Sequence, residues 1–261
     1  MPNVSVDSAS LFYDDDWLGA PWLKPEPALL IHGAGESGRA WFGWVARMAQ
    51  QFRLLRPDLP GFGRSALPAG FEWSVANLAA VMAHFLDAIE LESAHIVGAK
   101  LGGAIAMQFA AAYPRRTRTL VVCSGPVSAP KLVESSAARS KNWWEETQRK
   151  RLGSEASKEE LEYWNTLMVA ANPQAQSGVL QAASALDLED VLARITAPTL
   201  VITTDRSALQ PVETVLRYQR KIPNSRLLVL QSDAYHVAVA KADECVTNVL
   251  AFINDVGRNT A

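Results

Sequence analysis

The chain is poor in cysteine: Cys123 and Cys245 are the two it has in 261 residues. Two cannot build a disulfide framework, and no Cys/His cluster shows the spacing of a zinc site. Neither charge is in surplus, with 25 Lys and Arg against 27 Asp and Glu. That leaves no basic field to draw in a nucleic-acid backbone. Long apolar runs are missing as well, the longest being strand-length and well short of the ~20 residues a membrane span needs. The first residues, Met1 to Asp16, lack the basic start and apolar stretch of a secretory signal. These absences predict a cytoplasmic protein with no nucleic-acid partner, no membrane partner, and no metal or other cofactor.

What is present points to a large core. Hydrophobic residues make up 49% of the chain and charged residues 20%, which excludes intrinsic disorder. The length suits one domain carrying an insertion. Eight tryptophans are many for this length, and clustered indoles usually mark packing in a core or an interface.

Short apolar runs alternate with helical patterns, which predicts a mostly parallel sheet covered by helices. The strands are expected at Ala28–Ile31, Phe52–Arg56, His95–Val97, Leu120–Cys123, Thr199–Thr203 and Arg226–Leu230. Helices are expected over Trp41–Gln51, Ser74–Ile89, Leu101–Tyr113 and Asp243–Ile253, with Ser74 as an N-cap and Pro114 as a stop. From Val127 to Asp187 the alternation breaks into a polar, helical stretch with no strand-like run. An excursion of that kind between two strands reads as a cap, so residues 1–126 and 188–261 form the core and 127–187 the cap. Its Lys/Glu-rich part, Lys141 to Glu162, reads as a solvated helical face.

The informative segment is His95-Ile96-Val97-Gly98-Ala99-Lys100-Leu101-Gly102-Gly103. An apolar strand runs into small residues, one functional side chain and small residues again, and a helix begins at once. The segment resembles the nucleophile elbow of the α/β-hydrolase superfamily, with Lys100 where that family places serine. His32-Gly33-Ala34-Gly35 resembles the family's HG loop, whose N–H groups help form the oxyanion hole. Asp58 to Ser65 resembles its D-x-x-G-x-G-x-S turn, read here as turn architecture first. Pro198 to Ile202 resembles the strand leading to the acid loop, and Ser232 to His236 the loop of the catalytic histidine. The resemblance covers nearly the whole chain outside the cap. It implies an α/β fold in which Lys100 and His236 are catalytic, with Asp205 or Ser207 at the acid position. Oxyanion or substrate contacts would come from Gly33, Ala34 and Leu101. Trp41, Trp143 and Trp144, with Trp44 beside them, would wall a cleft suited to a small, partly apolar or aromatic substrate.

A lysine at a helix N-terminus, in a partly dry cleft, is pushed towards its neutral form. A neutral amine attacks ketones and aldehydes to form a Schiff base, and the expectation placed first is therefore a lyase with His236 moving protons. Two alternatives stay open. In one, His236 activates water to cleave an ester, a lactone or a C–C bond while Lys100 holds the substrate. In the other, a hydrolase fold binds a ligand without turnover, with Lys100 paired to Asp205. The partner in every case is a small molecule, and a homo-oligomer is left open. His95 reads as a satisfied or surface histidine, and His84 has no role.

Overall fold

The computed structural model describes residues 3–7, 9–129, 143–169, 172–207 and 209–260; the side chains at 143–146, 169 and 259–260 lie outside that description. In chain order the elements are β1 (Asn3–Val6), β2 (Ala9–Asp16), β3 (Glu26–Ile31), α1 (Phe42–Met48), β4 (Phe52–Pro57), α2 (Val75–Ala88), β5 (Ala94–Ala99), α3 (Leu101–Ala112) and β6 (Thr117–Cys123). There follow α4 (Trp143–Leu152), α5 (Lys158–Val169), α6 (Pro173–Ser184), β7 (Thr199–Thr204), α7 (Val212–Gln219), β8 (Ser225–Leu230), α8 (Val237–Ala240) and α9 (Ala242–Thr260).

The strands form one sheet in the order β1-β2-β4-β3-β5-β6-β7-β8. From β4 to β8 neighbours are parallel, whereas β1 and β2 join antiparallel at one edge. All six expected strands are present. The two edge strands were not anticipated, because the acidic end of β2 (Asp14-Asp15-Asp16) lacks the apolar look of a strand. Those acids are paired across the ladder: Asp15 meets Arg53 at 2.7 Å, and Asp14 and Asp16 meet Arg56 at 3.3 and 2.7 Å.

Alternating side chains of the central strands feed two separate cores, as the two-residue period of a strand requires. Leu29, Ile31, Ile96, Leu120 and Val122 pack with α2 and α3 on one face. Leu30, Val97, Val121 and Cys123 pack with α1 and α9 on the other. Burying each large apolar side chain contributes roughly 1.5–3 kcal/mol, so these two layers hold the sheet rigid. α2 begins as expected, with Ser74 Oγ accepting from Asn77 N–H at 3.0 Å. The stretch expected as a helix over Trp41–Gln51 divides into a 3-10 turn at Gly38–Trp41 and then α1.

Two features position the site. β3 and β5 lie side by side while their neighbours run to opposite ends of the sheet, and clefts of open α/β sheets form at such a reversal. Between β6 and β7 the chain leaves the sheet to form α4, α5 and α6, and Ser128 bridges Asp187 where it leaves and returns. Leu152, Leu161 and Trp164 from this excursion pack with Ala40 and Val239 of the sheet-bearing part.

Candidate active site

The turn after β5 is as tight as its residues suggest. Lys100 has φ 56° and ψ −121°, a left-handed backbone that side chains rarely adopt. Its N–H donates to Cys123 O at 2.9 Å. A Cβ added at Gly98 would stand 2.1 Å from Gly102 O, and one at Gly102 would stand 2.1 Å from Ile31 O. Only glycine lets α3 start this close to the sheet. Lys100 therefore stands at the helix N-terminus, and Leu101 N–H, the first of α3, has no partner within its own helix.

The loop after β3 turns at Gly33, where Glu36 N–H donates back to Gly33 O at 3.3 Å and Gly33 N–H donates to Glu36 Oε2 at 2.9 Å. This places the Glu36 side chain, 0% exposed, against the elbow. Lys100 Nζ donates to Glu36 Oε1 at 2.8 Å. The Arg151 guanidinium of α4 donates to the same oxygen through Nη2. His236 Nε2 lies 3.0 Å from it too, outside hydrogen-bond angles. Three basic side chains from three parts of the chain thus converge on one carboxylate oxygen.

Burial works against ionisation of Glu36, yet His236, Lys100 and Arg151 crowd its oxygen and hold the carboxyl well below the usual range. Burial, reinforced by Arg151, lowers the Lys100 ammonium to about 8, with Glu36 pulling the other way. Burial lowers His236 to about 4 against the pull of Glu36, leaving the imidazole neutral at pH 7. Its Nδ1 has no hydrogen-bond partner among the described residues. The Trp164 indole lies against the imidazole, centroids 5.7 Å apart. His236 N–H donates to Arg151 O at 2.7 Å, tying the histidine loop to the end of α4.

The structure brings Gly33, Lys100, Leu101 and His236 together. It does not bring Asp205 or Ser207 to the histidine. Asp205 Oδ1 accepts from Ser232 N–H at 2.8 Å, and Ser207 Oγ accepts from Gln210 N–H at 3.2 Å. Asp205 is spent on the backbone of the histidine loop and Ser207 on its own loop, and the carboxylate beside His236 is Glu36. Nor does Lys100 pair with Asp205. Trp41 and Trp44 also depart from expectation. They stack edge to face at 4.9 Å inside the α1/α9 core, and Trp44 Nε1 donates to Ala238 O at 2.7 Å. An indole one or two turns past the HG loop faces inward here, and Trp164 is the tryptophan at the site. The side chains of Trp143 and Trp144 lie outside the described residues.

Glu36 and Arg151 were missed by sequence reasoning. The signal for Glu36 was its place one residue past the HG loop. Arg151 gave none, because it sits in the Lys/Glu-rich stretch taken for a solvated face; in fact Arg151 is 4% exposed and Gln148 0%. Asp58 to Ser65 is turn architecture as expected: Asp58 accepts from Gly38 N–H at 2.7 Å and from Arg64 N–H at 2.8 Å. His95 is satisfied by Thr119 and Glu26 at 2.9 and 3.0 Å. Among the described residues no group of His, Cys, Asp and Glu could hold a metal ion, and no helix is long and apolar enough to cross a membrane.

Comparison with known proteins bears on the fold that carries these residues. Residues 27–155 match the family model described as alpha/beta hydrolase fold. A pimeloyl-[acyl-carrier protein] methyl ester esterase of Aeromonas hydrophila is 28% identical over 247 residues, covering 86% of this chain and 94% of the esterase. A 2-hydroxy-6-oxo-2,4-heptadienoate hydrolase of Pseudomonas putida is 36% identical over 99 residues, 37% of this chain and 36% of that protein. The crystal structure of an enol-lactonase from Burkholderia xenovorans LB400 superposes with a TM-score of 0.85 at 19% identity, covering 97% of this chain and 100% of the lactonase. The strand order, the strained elbow, the family-model match over residues 27–155 and the superposition on the lactonase together give the chain the α/β-hydrolase fold.

Proposed function

We propose that this chain is a hydrolase of a small ester, lactone or activated C–C bond, in which His236 activates a water and Lys100 holds the carbonyl under attack. The observation that carries it is the 2.8 Å contact from Lys100 Nζ to the buried Glu36 carboxylate. An ammonium that titrates near 8 and faces a carboxylate is mostly charged at pH 7. A charged amine polarises a carbonyl but does not add to it, so the Schiff-base expectation is not carried forward.

The water gives its proton to Nδ1 of the neutral His236 imidazole, which has no hydrogen-bond partner among the described residues. Its oxygen attacks the carbonyl carbon, and the resulting oxyanion rests on the Lys100 ammonium and the Leu101 N–H, with Ala34 N–H of the HG loop beside them. Collapse expels the alkoxide or carbanion, which recovers the proton from the imidazolium. Residues 127–187 act as a cap whose Trp164 shields the imidazole from bulk water, which favours a partly apolar substrate. A surface cleft of about 410 Å³ lined by Trp73, Pro173 and Gly178 shares no residue with this site. The relatives named above are an esterase, a hydrolase and a lactonase, in line with this reading.

The test is turnover of 4-nitrophenyl esters, γ-lactones and β-diketones in H₂¹⁸O. The expected result is one ¹⁸O in the released acid, a loss of roughly 100-fold or more in His236→Ala, and partial activity in Lys100→Arg. A borohydride-reduced adduct on Lys100 during turnover would overturn it.

A further inference from the structure

Arg151 has more donors than acceptors around it. Its guanidinium is 5% exposed, and Nη2 meets its one strong acceptor in Glu36 Oε1, which Lys100 already occupies. Nη1 faces the thioether of Met168, and Nε is buried with no partner among the described residues. Gln148, one turn earlier on α4, repeats the pattern with its Nε2 at 2.8 Å from the same sulfur. Thioether sulfur is a weak acceptor. Two buried polar side chains therefore aim N–H groups at an atom that satisfies neither. Among the described residues the charges are unbalanced too: one Glu36 carboxylate faces both Lys100 and Arg151, a surplus of one positive charge.

We propose that Arg151 and Gln148 form the recognition site for a carboxylate borne by the substrate, and that Met168 holds the place this carboxylate takes. The inference deepens the hydrolase reading and rests on it. A guanidinium offers parallel N–H groups that match the two oxygens of a carboxylate, and Gln148 Nε2 adds a third donor. A substrate carboxylate supplies the missing negative charge. Methionine suits a place-holder, being unbranched, flexible and apolar. Met168 also reaches the oxyanion loop: a Cβ added at Gly35 would stand 3.0 Å from Met168 Cε. When Met168 withdraws, space opens from Arg151 towards the loop beside Lys100, and the reacting carbonyl lies on that line.

The test compares 4-nitrophenyl butyrate with mono-4-nitrophenyl glutarate, which share a leaving group and differ by one carboxylate. The wild type is expected to favour the anionic ester at least 10-fold in kcat/KM, mostly through KM. In Arg151→Gln that ratio should collapse towards one, whatever loss the two esters share. A wild-type ratio near one, or a ratio unchanged in R151Q, overturns the inference. If neither ester turns over, the carboxylate site is judged by binding alone, with glutarate titrated against tryptophan fluorescence, and the hydrolase reading fails only if γ-lactones and β-diketones are left intact as well. Saturable binding that weakens at least 10-fold in R151Q and tightens in Met168→Ala then supports it; no saturable binding, or binding indifferent to both variants, overturns it. Because M168A leaves Arg151 in place, the answer does not hang on whether R151Q folds.

Discussion

A carboxylate shut away from water keeps its charge only when cations face it, and those cations are then held in turn. Glu36 does this for Lys100 and Arg151. Because the mechanism needs Lys100 charged and His236 neutral, pH reports on both. The kcat/KM for a neutral ester should rise through about 4 as His236 loses its proton and fall above about 8 as Lys100 loses its own. Lys100→Arg should carry the alkaline fall beyond pH 10 while the acid limb stays, since arginine does not deprotonate in that range. A wild-type profile flat to pH 10 would remove Lys100 from the chemistry. Lys100 was legible in the sequence because the small residues around it are those a sharp turn requires, and His236 because its loop resembles the one that carries the family's histidine. Glu36 was not, lying 64 positions from Lys100 and 115 from Arg151. A carboxylate acquires its role from what the fold folds onto it. Asp205 shows the converse: it stands two residues before the position the family pattern suggests and could have substituted there, yet its nearest donor is Ser232 N–H.

Elements were legible where one face is buried and hidden where burial depends on partners. The parallel strands β3 to β8 present apolar residues to both layers and read as continuous runs. Strand β2, next to the edge, relies on arginines of β4 to neutralise its acids, and nothing in its own residues says that those arginines will lie opposite. α4 misled in the opposite sense. Its residues are polar, but Gln148 and Arg151 are three apart and share a face that turns inward. The elbow is the element most sensitive to size. In Gly98→Ala the new methyl group meets the α3 backbone, and α3 must move off the sheet. The expected cost is about 2 kcal/mol or more, read as a lower urea midpoint, together with a fall in activity beyond what the lost folded fraction explains. A stability equal to wild type would show that the turn has slack.

For the whole molecule, one sheet carries the elbow, the oxyanion loop and the histidine on three strand ends, and the excursion between β6 and β7 contributes Arg151 and Trp164. That division predicts how the parts behave apart. Replacing residues 129–186 with a short Gly/Ser linker should leave a protein that unfolds cooperatively, since both core layers are built mainly from residues outside that stretch. It should retain some turnover of small neutral esters and lose any preference for anionic ones. A shortened chain with no cooperative transition would mean that the excursion is needed for folding.

The bridge between Ser128 and Asp187 marks where the excursion leaves and rejoins the core, and the Arg151 end of α4 is tied back to the histidine loop. Below the excursion, Glu36 and Lys100 cancel one another, and the lower half of the site is electrically neutral. The surplus charge arrives from above with Arg151. On the reading proposed above, reaction and choice of substrate are written in separate stretches of chain. A lineage could exchange the upper stretch and acquire a new diet without disturbing the lysine, the carboxylate or the imidazole beneath it.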